Sequence, residues 1–237
     1  MRPDPALVHT APLCGIFTRR ATGGSATDLH VAFGQATFDA EGSEAPGRYF
    51  SRSLHWPGGR SGVTIGRGYD MGHRTRLQVE RELAYAGVDH QDALELSAAA
   101  GLRGEQAERF VLENKQFAPI ISTAAQLRLF EGVTTVEVLS DIRRIFSKPD
   151  VVARYGRAEW ATLPRPIQEL VFDLRYRGDY TPAVRERIQP HIVRHDVDGL
   201  RKAMSDVSYW GSLGVPQDRI IRRIGLLRES ERHACAA

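Results

Sequence analysis

After Arg74, apolar residues recur at helical spacing; before it they do not. The clearest stretch is IQELVFDL, where Ile167, Leu170, Val171 and Leu174 fall at i, i+3, i+4 and i+7. That spacing predicts the central buried helix, with Pro164 and Pro166 at its start and Gly178 as its stop. TTVEVLSDIRRIFS puts Val138, Ile142 and Ile145 on one face. PQDRIIRRIGLLRES turns Ile220, Ile224 and Leu227 inward and leaves Arg219, Arg222 and Arg223 on a solvated face. Further helices are expected over RTRLQVERELAYAG, ended by Gly87, and over RGEQAERFVLENK. STAAQLRLFEG opens on Thr123 and Gln126, three apart, as in a capping box. Thr181–Pro182 reads as an N-cap with proline at N1, and Asp198 as the cap of DGLRKAMSD. The sum is a helical lobe of about seven to nine helices.

Residues 31–72 read differently. HVAFGQATFDAEG alternates loosely, which predicts short extended pieces. HWPGGRSGVTIGRGYDMG carries glycines at 58, 59, 62, 66, 68 and 72 beside Val63, Thr64 and Ile65, which predicts a hairpin. Residues 1–30, with Pro3, Pro5, Pro12 and the stretch TGGSATD, read as a leader or linker. The expected class is α+β: a small β-containing N-terminal lobe, a larger and mostly helical C-terminal lobe, and a cleft between them. One domain over 31–237 accounts for both lobes.

Composition narrows the function classes. The 237 residues are 42% hydrophobic and 26% charged, which excludes a disordered or fibrous chain. No apolar run reaches the ~18–20 residues that a membrane-spanning helix needs, so no membrane insertion is expected. The opening MRPDPALVHTAPLCG has no apolar core of a secretory signal, so the chain is expected to be made in the cytoplasm. The net charge of +3 suits an anionic polymer, but the arginines are scattered and form no nucleic-acid motif. Cys14 and Cys235, near opposite termini, can form a disulfide where the termini meet, and are read first as two free thiols. Neither the cysteines nor the eight histidines show metal-ligand spacing, and no metal or cofactor is expected.

The chemistry lies in residues 37–72, TFDAEGSEAPGRYFSRSLHWPGGRSGVTIGRGYDMG. Two carboxylates, Glu41 and Asp70, share this stretch with Thr64. Such a pair can cut a glycosidic bond, one acid protonating the leaving oxygen while the other carboxylate activates water or attacks the sugar. A threonine hydroxyl can hold the attacking water in line. Tyr49, Phe50, Trp56 and Tyr69 offer flat apolar faces for sugar rings, and Arg177, after the central helix, offers a charged contact. Each has a plainer reading. Glu44 and Asp39 rival Glu41 as the acid, Asp70 can bond turn amides, and Arg177 can belong to a buried ion-pair cluster.

Glu41-Gly42 followed by Gly62-Val-Thr64-Ile-Gly66-Arg-Gly68 resembles the Glu-Gly and T-I-G-x-G signatures of phage-type lysozymes. The longer run, with RYFSR, HWPGG and GVTIGRGYDMG, is more similar still to the pesticin-like muramidase domains. In phage-type lysozymes the aspartate precedes the threonine; here Asp70 follows Thr64, which is the pesticin-like order. Many phage-type enzymes also carry a histidine where this chain has Tyr69. The resemblance implies a lysozyme-like fold and an N-acetylmuramidase cleaving the β-1,4 bond between N-acetylmuramic acid and N-acetylglucosamine. It implies Glu41 as general acid, Thr64 for water positioning and Asp70 as general base or electrostatic support. It further implies a monomer that acts on peptidoglycan in a target cell's periplasm or wall. Two roles fit, an antibacterial effector with a cognate immunity protein, delivered by a secretion machine, or a phage endolysin. A non-catalytic wall-binding module is the competing class.

Overall fold

The computed structural model describes residues 29–47 and 50–234. Cys14, Cys235, Tyr49 and residues 1–28 of the expected leader lie outside them. The described chain runs through a short helix α1 (Gln35–Ala40) and a hairpin of β1 (Thr64–Ile65) and β2 (Tyr69–Asp70). Helices α2 (Arg76–Tyr85), α3 (His90–Leu96), α4 (Glu105–Asn114) and α5 (Thr123–Leu129) follow. Then come α6 (Thr135–Phe146), α7 (Pro149–Tyr155), α8 (Arg165–Arg177), α9 (Pro182–Val193), α10 (Val197–Met204), α11 (Val207–Ser212) and α12 (Gln217–Ala234). The class is α+β, mostly helical with a two-stranded antiparallel sheet.

Apolar side chains gather into two cores. The helical core is centred on α8, whose Ile167, Leu170, Val171, Phe172 and Leu174 are all fully buried, as the i, i+3, i+4 spacing requires. Proline in its first turn and Gly178 in the left-handed region (φ 89°) bound it. Around α8 lie α6, α9, α10 and α12, anchored by residues such as Ile142, Ile188, Leu200 and Leu227. The hairpin core takes Val63, Ile65, Tyr69 and Met71 from the hairpin and closes them against Val79 and Leu83 of α2 and residues of α3 to α5. Each such buried Val, Leu or Ile contributes roughly 1.5–3 kcal/mol relative to exposure.

Three expectations need correction. First, the residues around 35–40 form a helix, not an extended piece, and α1 belongs to the helical core, where Phe38 packs on Phe130. Only Thr37 and Phe38 are buried in this single turn and a half, too few to show a period. Gly34, at φ 78°, starts it: a side chain there would meet the Phe172 ring at 2.6 Å. The hairpin core is therefore completed by α2 to α5 together with Leu54 and Val63, and not by α1.

Second, STAAQLRLFEG and TTVEVLSDIRRIFS are not separate helices. Thr123–Phe146 runs unbroken through a π-helical turn at Phe130–Thr134, with Leu129 in the hairpin core and Phe130 in the helical core. The exposed Tyr85 side chain lies against Gly132, its hydroxyl 2.3 Å from where a Cβ would stand. Third, helices after Arg74 number ten among the described residues when α5 and α6 count as one, because α3, α7 and α11, absent from the expectation, are too short to show periodicity. Caps also shift by one or two residues: Ser122, not Thr123, accepts from Ala125, and Asp196, not Asp198, accepts from Gly199. Thr181 caps α9 with Pro182 in its first turn, as expected.

Candidate active site

Glu41 is the residue at which α1 ends, and its side chain is about three-quarters buried. Arg219 of α12 reaches it through Nη1 and at the same time bonds Asp173 of α8, with Nη2 to Oδ1 at 2.6 Å. Asp173 in turn accepts from Arg223 (2.7 Å) and from the Thr37 hydroxyl of α1 (2.9 Å). Arg223 passes the chain on to Asp179, which also holds Arg177. Charges alternate along this line, Glu41, Arg219, Asp173, Arg223, Asp179, Arg177, so each buried charge has an opposite neighbour. Burial opposes ionisation of Asp173, but the bonds and charges of Arg219 and Arg223 outweigh it and hold the carboxyl below its usual range.

Two expectations change here. Arg219 and Arg223 are not on a solvated face; they are 7% and 1% exposed, and only Arg222 points outward. Arg177 bonds Asp179 and the Gly214 carbonyl, both at 2.6 Å, and so belongs to the ion-pair chain, not to an open binding surface.

The hairpin carries the other two candidates. Thr64 pairs directly opposite Asp70. The Thr64 backbone N–H and C=O are both exchanged with His55 at 2.9 Å, which makes Thr64–Asp70 the close, non-hydrogen-bonded kind of antiparallel pair. His55, Thr64 and Asp70 therefore stand side by side on one face, while Ile65 and Tyr69 turn into the hairpin core. The Asp70 carboxylate accepts from the Gly72 amide (2.6 Å) and the Gly62 amide (3.1 Å). Thr64 Oγ1 donates to the Gly62 carbonyl at 3.3 Å. His55 is half-buried, its Nδ1 sits 3.1 Å from the Ser53 carbonyl, and burial lowers its pKa.

Two contacts bring the end of α1 to the hairpin. Arg67, in the turn between the strands, donates to the Phe38 carbonyl at 2.9 Å. Tyr176 of α8 sets its hydroxyl against Gly68, 1.7 Å from where a Cβ would stand, and feels the charge of Glu41. Burial, and then the charge of Glu41, push the Tyr176 phenol well above its usual pKa, so it stays protonated.

The rival acid Glu44 has another task. Its carboxylate takes Gln126 (2.7 Å), Arg52 (2.9 Å) and Arg67 (3.3 Å), pinning the loop after α1 to α5 and the hairpin turn. The aromatic expectations divide. Tyr69 is 1% exposed, with Arg74 stacked on its ring and its hydroxyl on Glu82 at 2.7 Å; it offers no face to a sugar. Trp56 is half-buried against the hairpin core, with its indole N–H on the Ser61 carbonyl. Phe50 lines an open groove of about 770 Å³ together with Ser53, Val111, Lys115, Ala118 and Ile120. Glu41, Thr64 and Asp70 do not line that groove.

Sequence reasoning passed over Arg67 and Asp173, whereas Tyr176 lies in the run Arg175–Tyr180 that ends the central helix, read as a cleft lining or an ion-pair cluster. The only signal for Arg67 was its place between two glycines, and for Asp173 an acid inside the most apolar helix. Among the described residues no group of three or more His, Cys, Asp or Glu is placed to hold a metal ion, and no helix is long and apolar enough to cross a membrane. Among curated proteins none matches the sequence. Residues 34–224, which hold every candidate discussed above, match the domain of unknown function DUF8812, and the chain belongs to that family.

Proposed function

We propose that the protein is a lysozyme-like peptidoglycan muramidase that hydrolyses the β-1,4 bond between N-acetylmuramic acid and N-acetylglucosamine with inversion. One observation carries the reading: the Glu41 end of α1 is tied by Arg67 to a hairpin on which Thr64 and Asp70 stand directly opposite each other. Glu41, in its protonated form, gives its proton to the glycosidic oxygen, and the carboxylate that results is the charge paired with Arg219. Asp70, oriented by the Gly62 and Gly72 amides, draws a proton from water while Thr64 Oγ1 holds that water in line with the anomeric carbon. Phe50 and Trp56 are the described aromatics left to contact glycan. No cofactor enters the chemistry. The protein works as a monomeric antibacterial effector, delivered to the periplasm or wall of a target cell and neutralised in its producer by an immunity protein.

The test is loss of turbidity of purified peptidoglycan with wild type and Glu41→Gln, with mass spectrometry of the soluble products. Lysis by wild type alone, with reducing muropeptides, is expected, with at least a hundredfold lower rate for Glu41→Gln. Wall binding without lysis by either protein would leave a binding module instead. A second enzymatic reading draws on the two amides that occupy the Asp70 carboxylate: a lytic transglycosylase needs only the acid. Full activity of Asp70→Asn with anhydro-sugar products would replace hydrolysis by that reaction.

A further inference from the structure

The turn Gly66-Arg67-Gly68 does more than reverse the chain. Arg67 is 7% exposed although it sits at the tip of a hairpin, where an arginine would ordinarily reach into water. Its guanidinium lies over the Phe38 ring at 4.0 Å. Nη1 donates to the Phe38 carbonyl at 2.9 Å, and Nη2 to Glu44 Oε1 at 3.3 Å; Asp39 is 3.7 Å away. The Phe38 carbonyl also accepts from the Glu41 amide at 3.3 Å. One oxygen thus receives both the amide of the candidate acid and a cation from the hairpin turn. A cation at a helix C-terminus meets the exposed carbonyls there, so Arg67 holds α1 in place at the residue where Glu41 leaves it. Residues 38, 39 and 44, which bracket Glu41 in the chain, all face this one guanidinium.

We infer that Arg67 is the positioning residue of this site: its planar fork sets the separation between Glu41, carried by the helical core, and the Thr64–Asp70 pair, carried by the hairpin core. A planar fork can serve a carbonyl and a carboxylate at once in a fixed geometry; a lysine's compact ammonium is a point charge on a flexible stem and lacks that fork. The inference rests on the muramidase reading for its kinetic consequence and on the contacts alone for its structural one.

The experiment compares Arg67→Met, which keeps apolar cover over Phe38, with Arg67→Lys and wild type. Turnover on purified peptidoglycan is corrected for the folded fraction, and hydrogen exchange is followed at the Glu41 and Thr64 amides. Arg67→Met is expected to lose about tenfold to a hundredfold in kcat, with KM within about twofold, because misplacement of reacting groups falls on the chemical step. Arg67→Lys recovers part of the loss. Exchange accelerates at Glu41 and not at Thr64. A wild-type kcat per folded molecule in Arg67→Met overturns the inference, as does unchanged exchange at Glu41. Should wild type itself fail to cleave peptidoglycan, the muramidase reading falls, and exchange at Glu41 alone decides whether Arg67 fixes this helix end.

Discussion

The two cores hold their share of the candidate site by different means. The helical core holds Glu41 through a line of buried charges, with Asp173 at its centre and Arg219 and Arg223 on either side. The hairpin core holds Thr64 and Asp70 through backbone: amides of Gly62 and Gly72 on the carboxylate, and a cross-strand pair that fixes which face both side chains share. A buried charge line tolerates no missing member, because the partner left behind is a desolvated ion. A backbone-held carboxylate depends instead on the small residues that let the chain come close. The difference locates the weak points: charge in one half, space in the other.

The sharpest way to break the comparison is Asp173→Ala. It leaves Arg219 and Arg223 buried without their shared acceptor, and should cost about 3–5 kcal/mol of unfolding free energy, read by urea denaturation. Arg222→Ala, one residue from Arg223 and exposed, is the control and should stay within about 0.5 kcal/mol of wild type. A small loss in Asp173→Ala would mean that the charge line is not what holds α1, α8 and α12 together.

Gly62→Ala probes space in the hairpin half. Its new Cβ would lie 2.2 Å from Asp70 Oδ1 and 2.4 Å from the Gly72 backbone, so the strand ends must separate. Overpacking of this kind costs about 1–3 kcal/mol, less than the Asp173 variant, and should free the Asp70 carboxylate from its amides. The chemical shift of the Gly72 amide should move with it.

The smallest effect concerns pH. Burial lowers the His55 pKa below 6.5, with the Ser53 bond opposing and the charge of Lys115 adding to the fall. The unfolded chain therefore binds more protons than the folded one between the folded value and 6.5, and stability is lost as pH falls through that window. Unfolding free energy measured from pH 7 to pH 5 should decline, and His55→Gln should flatten the decline. Asp173, also depressed, loses its stabilising ionisation only below its usual carboxylate range, so the two groups separate in pH.

The legible parts of this protein are those that depend on short-range chemistry. The burial of α8 follows from its spacing, its ends from Pro166 and Gly178, and the start of α9 from Thr181–Pro182. The hairpin followed from glycines beside Val63, Thr64 and Ile65. Glu41, Thr64 and Asp70 stood out by motif, and the register then gives a reason for two of them to be neighbours. Tyr69 misled because alternation along a strand says that one face is buried without saying which.

Sequence by itself therefore determined where the longer helices and the turn lie, because propensity, capping and periodicity act within a few residues. Only the tertiary structure decided that α1 leaves the hairpin and joins the helical core, that Thr123–Phe146 runs through Gly132 as one helix, and that Arg67, Arg219 and Arg223 turn inward. An arginine reads as surface in any local pattern. What buries it is an acceptor far along the chain, such as Asp173 for Arg219 and Arg223, or the Phe38 carbonyl for Arg67, and a pairing of that kind exists only once the cores have met.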